Sequence, residues 1–116
     1  MFLNWREYLR TSRRAGAALS TANPKMVAGF QALGAGQNGN GALDAKTKEL
    51  IALAVAVTTR CDSCIAVHAE AARRVGVTEA ELADAMGTAI ALNAGAAYSY
   101  AMRTLDAFNQ FGEKAA

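Results

Sequence analysis

The chain has 116 residues, of which 53% are hydrophobic, and its twelve basic and ten acidic side chains leave a net charge of +2. That length bounds it to one domain, residues 1–116, with a poor ratio of core to surface, and the charge balance excludes a nucleic-acid partner. Much of the apolar content is alanine, which favours helix and lets helices approach closely, so surplus apolar surface on so small a chain predicts a homo-oligomer.

The opening "MFLNWREYLR" carries charge too early for a secretory leader. "ELIALAVAVTT" is apolar but too short and too internal to span a membrane. The expectation is a soluble, cytoplasmic protein with no membrane partner. Trp5, Tyr8 and Leu9, interleaved with arginines, predict a first helix over about 4–18. Arg6, Arg10, Arg13 and Arg14 fall mostly on one face of it, as a solvated face or a subunit contact. Asn23 followed by Pro24 reads as an N-cap and first helical position, predicting a helix over 24–33. "GAGQNGNGA", Gly34 to Ala42, follows as a linker or mobile flap. It lacks the Lys-Ser/Thr of a phosphate loop.

Asp44 is the expected cap of the next helix. Leu50, Leu53, Ala54 and Val57 are its buried stripe, with Lys46 and Lys48 on the solvated side. "TTRCDS" breaks that pattern, so the chain turns at about 59–60. A helix then starts between Cys61 and Ser63 and runs to Val75, with Gly76 as its stop. Thr78 to Glu81 is a capping box opening a helix to about Leu92. "NAGA" interrupts, and a last helix covers about Ala96 to Phe108, with Tyr98, Met102 and Leu105 as its core stripe. The fold class is therefore all-α, with about six helices.

The stretch "RCDSCIAVH" holds both cysteines, Cys61 and Cys64, and the only histidine, His68. On a helix their offsets of 0, 3 and 7 share one stripe. The cysteines sit where unpaired N–H groups and the positive end of the helix dipole favour a thiolate, with Arg60 adding charge. Cys-x-x-Cys spacing also brings two sulfurs within reach of a disulfide. His68, one turn on, is placed to take or return a proton. If the preceding helix folds back, Glu49 lies eleven residues before the turn and His68 eight after it. At roughly 1.5 Å per residue their levels differ by only about 4–5 Å, so Glu49 is the acid best placed to meet His68. Three readings stand against one another. Either thiol can be core filler. Two cysteines, the histidine and Glu49 can make four zinc ligands, although structural zinc favours knuckles on loops. Two thiols with an acid–base pair can do redox chemistry, and that combination favours a functional site.

Glu49, Cys61, Cys64 and His68 spell Glu-x11-Cys-x2-Cys-x3-His, within "LDAKTKELIALAVAVTTRCDSCIAVHAEAARRVGVTEAEL". This resembles the alkylhydroperoxidase D-like group of the carboxymuconolactone decarboxylase superfamily over residues 43–82, and more loosely to about 108. The N-terminal helices and glycine-rich loop, residues 1–42, carry little of it. The resemblance implies an all-α fold, trimers or hexamers, and a thiol peroxidase or disulfide reductase with no metal and no cofactor. Its partners would be a hydroperoxide and a thiol reductant or redox protein. Carried over by position, Cys64 attacks the peroxide, Cys61 resolves the sulfenic acid as a disulfide, and Glu49 and His68 relay protons. Helix geometry alone favours Cys61 as the more exposed nucleophile. Ser63 departs from the pattern: the better-known peroxidase has a second histidine there. Two alternatives differ in class. One is a decarboxylase-like acid–base enzyme with incidental cysteines. The other is a non-enzymatic redox-sensing or zinc-binding oligomer.

Overall fold

A computed structural model describes residues 1–37, 39 and 41–113. Among these the chain forms five helices: α1 (Trp5–Ala22), α2 (Pro24–Gly36), α3 (Ala45–Thr59), α4 (Asp62–Arg74) and α5 (Glu79–Gly112). The all-α expectation holds, with five helices in place of about six. The missing boundary is at "NAGA", where α5 runs through without a break. Asn93 supplies the reason. Its side-chain amide donates to the Ala89 carbonyl in the preceding turn and to Thr58 Oγ1 on α3, both at 2.8 Å. A helical Asn and Gly cost only about 1 kcal/mol each or less, and the alanines around them offset that.

Local signals set most of the other boundaries. Asn4 caps α1, accepting from the Glu7 amide at 3.1 Å. Asp44 caps α3, accepting from the Thr47 amide at 2.8 Å, and that bond to the backbone lowers its carboxyl pKa. Thr78 and Glu81 form a reciprocal capping box on α5, with bonds of 2.9 and 3.1 Å. Asn23 departs from expectation: its side chain makes no capping bond, and its backbone N–H instead closes α1 on the Leu19 carbonyl. Helix α2 continues to Gly36, shortening the expected 34–42 loop, of which Asn38 and Asn40 lie outside the described residues. Gly76 ends α4's connection at φ +82°, a backbone position that suits glycine.

Helix α3 is the hub. It packs against α4 and α5, while α1 packs against α2 and α4. Lys46 pairs with Glu81 at the start of α3 and Thr58 with Asn93 at its end, an offset of 35 residues both times (81−46, 93−58). Helices α3 and α5 therefore run parallel, and α4 runs back between them in sequence. Leu53, Ala72 and Val77 form the core, joined by Leu50, Leu82 and Met86. The expected stripe of α3 is shifted: Ala56 is buried and Val57 lies at the surface. The lysines are not simply solvated either, since Lys46 reaches Glu81 at 2.8 Å and Lys48 Nζ donates to the Gln37 carbonyl at 2.6 Å.

The stripe expected to bury the last helix is exposed. Tyr98, Met102 and Leu105 retain 69%, 54% and 61% of their surface. The cause is length. Helix α3 ends at Thr59, level with Asn93, and α5 packs against no other helix. Beyond Asn93 no other described helix of this chain lies alongside it.

Candidate functional site

The turn between α3 and α4 fixes the cysteines. Arg60 closes α3 in the left-handed region at φ 54°. The Cys61 amide bonds back to the Ala56 carbonyl at 3.0 Å, so the chain reverses within two residues. Cys61 is then the N-cap of α4 itself, its sulfur accepting from the Cys64 amide at 3.2 Å. Serine, threonine, asparagine and aspartate are the usual capping residues; a sulfur in that position meets one of the unpaired amides of the first helical turn. Cys61 and Cys64 are joined as a disulfide, with Cα atoms 5.2 Å apart. Both residues are partly buried.

One turn further along, His68 Nδ1 lies 2.7 Å from Glu49 Oε2. The two side chains keep only 22% and 17% of their surface. A carboxylate accepts, so Nδ1 carries the proton of this bond and Nε2 is the nitrogen left to exchange one. The antiparallel fold-back of α4 on α3 makes the contact. Thus the structure brings Glu49 and His68 together and bonds Cys61 to Cys64 on the same helix. Among the described residues no group of three or more His, Cys, Asp or Glu is arranged to hold a metal ion. Nor is any described helix long and apolar enough to cross a membrane.

Sequence reasoning missed the contribution of α1. Ser63 Oγ lies 3.0 Å from Ser12 Oγ and 3.3 Å from the Tyr8 hydroxyl. An exposed Arg13–Glu70 pair at 3.2 Å, shared with Arg74 at 2.9 Å, ties the same two helices further along. These bonds to Arg13 and then Arg74 hold the Glu70 carboxyl below its ordinary range. The available signal was the i, i+4 spacing of Tyr8 and Ser12, which puts two hydroxyls on one helical face.

Residues 24–107 match the carboxymuconolactone decarboxylase family. The chain is also 54% identical, over 94% of its length and 96% of the relative's, to an uncharacterized protein of Haemophilus influenzae. It is 41% identical to uncharacterized protein 4 in the cox locus of Paracoccus denitrificans, over 84% of this chain and 81% of that one. Among solved structures it superposes on the apo form of a carboxymuconolactone decarboxylase family protein from Legionella pneumophila. The TM-score is 0.72 and the identity 32%, over 94% of this chain and 97% of that one. The all-helical fold and the matched span agree, and the chain belongs to the carboxymuconolactone decarboxylase family, within the alkylhydroperoxidase D-like superfamily. The match begins at residue 24, so α1, with Tyr8 and Ser12, lies outside it.

Proposed function

We propose that the protein is a cysteine-dependent hydroperoxide reductase working through thiol–disulfide exchange. The observation that carries the reading is the Cys61–Cys64 bond in the first turn of α4, one turn from the Glu49–His68 pair. In the first step the Cys64 thiolate attacks the O–O bond of a hydroperoxide. Sulfur becomes a sulfenic acid, and the departing alkoxide takes a proton supplied through His68 and leaves as the alcohol. In the second, the Cys61 sulfur displaces the sulfenic hydroxyl, which leaves as water, and the disulfide forms. A thiol reductant or redox protein then returns two electrons and two protons, entering at Cys61. Glu49 holds the His68 ring in the tautomer that leaves Nε2 available. A reducing, cytoplasmic setting fits a pair that must be re-reduced each turn.

The working unit is a homo-oligomer, of the trimeric or hexameric kind that the family resemblance implies. One protomer exposes 9320 Å², where a compact chain of 12.1 kDa exposes about 6,000 Å². Its radius of gyration is 19.5 Å against about 13 Å for a compact chain of this length. Among the described residues, four of the seven buried apolar ones are alanines, and no large side chain is fully buried. Such a thin core leaves the remaining apolar surface for copies of the same chain.

The test is mass spectrometry of Cys61 and Cys64 in reduced protein before and after one equivalent of an organic hydroperoxide. The expected product is an intramolecular disulfide with stoichiometric alcohol, and Cys64→Ser abolishes it. Inert thiols overturn the reading and favour an acid–base enzyme built on Glu49 and His68 alone.

A further inference from the structure

Ser63 stands between the two cysteines, on the residue that a helix start leaves with an unpaired amide. Its hydroxyl meets two others from α1: Ser12 Oγ at 3.0 Å and the Tyr8 hydroxyl at 3.3 Å. All three residues are partly buried. The nearby Arg13–Glu70 pair is exposed, so water weakens it. The hydroxyl cluster is thus the sheltered polar link between α1 and the cysteine turn.

The first turn of a helix frays unless something holds it, because its amides have no partner within the helix. Here one of those amides, Cys64 N–H, points at Cys61 Sγ from 3.2 Å. In the reduced protein that bond is worth most when Cys61 is a thiolate, since a hydrogen bond to a charged acceptor is stronger than one to a neutral acceptor. It persists only while residues 61–64 keep the turn. Ser63 is inside that turn, and Tyr8 and Ser12 fasten it to a helix of 18 residues.

We propose that Tyr8, Ser12 and Ser63 are positioning residues for the thiol pair. They clamp the first turn of α4 against α1 so that the Cys64 amide stays aimed at the Cys61 sulfur, which keeps Cys61 reactive as the thiolate that displaces the sulfenic hydroxyl of Cys64. The proposal rests on the thiol–disulfide reading above. It gives Ser63 a role that does not depend on carrying a proton itself.

The experiment uses full-length protein, reduced and then alkylated with iodoacetamide across a pH series. Labelling at Cys61 and Cys64 is read separately by peptide mass spectrometry. In Ser63→Ala and Tyr8→Phe, Cys61 labelling at neutral pH slows about three- to ten-fold, the size of one lost hydrogen bond, and its pH midpoint moves to the alkaline side. Ser63→Thr restores both. An unmoved Cys61 profile in folded Ser63→Ala overturns the proposal. If that variant does not fold, the Tyr8→Phe profile decides, because its ring still fills the same space. Hydroperoxide turnover is measured in parallel on the unaltered protein. Absent turnover with a shifted profile overturns the peroxidase reading and leaves the clamp standing; normal turnover with an unmoved profile does the reverse.

Discussion

The α3–α4 hairpin and the outer half of α5 solve opposite problems with the same alanine-rich alphabet. In the hairpin, polar groups are matched within the chain. Glu49 has His68, Cys61 Sγ has the Cys64 amide, and Ser63 has two hydroxyls from α1. Beyond Asn93 no other described helix packs on α5, and Tyr98, Tyr100, Met102, Leu105, Phe108 and Phe111 stand largely in solvent. A region whose groups find partners nearby describes its own chemistry. A region that leaves six large apolar side chains bare is the kind of surface through which proteins contact others.

The contrast breaks most sharply if the outer helix is charged. Leu105→Glu places a carboxylate in the proposed contact between copies, and we expect the assembly to fall to smaller species by light scattering at micromolar concentration. The Cys61–Cys64 bond should still form in whatever protomer remains folded. An unchanged mass would mean that the bare face covers nothing. Next in size is Glu49→Gln. The amide keeps the shape but removes the carboxylate that orients His68, so peroxide turnover should drop about 10- to 100-fold, within the usual range for losing general acid–base support. Light scattering should show an unaltered assembly. Turnover equal to that of the original protein would remove Glu49 from the relay.

The smallest effect concerns acid. Bonding to Lys46 and then to the Thr78 amide holds the Glu81 carboxyl below its ordinary value, and bonds to Arg13 and Arg74 do the same for Glu70. Asp44, bonded to the Thr47 amide, is likewise held below its ordinary value. A lowered folded pKa adds stability above the unfolded value and loses it as pH falls through the folded one. Thermal midpoints should therefore be level from neutral pH down to about 5 and decline below about 4.5. All three groups are well solvated, so the decline is shallow and flattens further in high salt.

The sequence made much of the hairpin legible because its signals are local. Asp44, the Thr78–Glu81 box and Gly76 each act within one turn of their own position. The approach of Glu49 to His68 needed only helix rise and a reversal at residues 59–60. What could not be read depended on neighbours distant in the chain. Asn93 looked like a breaker because its partner, Thr58, is 35 residues away. Tyr98, Met102 and Leu105 have the spacing of a core stripe, and spacing records that a face is apolar without recording which molecule covers it. Tyr8 and Ser12 were hidden for a related reason: a hydroxyl pair four residues apart is common on solvated helices, and only the docking of α1 on Ser63 gives it a use.

The unbroken course of α5 also sets how the protomer moves. Thirty-four residues of helix extend about 50 Å, and the longest dimension of the whole chain is 58 Å. A solitary copy would therefore tumble and sediment as a short rod, with far more drag than its 12.1 kDa suggests. Its frictional ratio would report, independently of mass, whether that helix is travelling alone or folded into company.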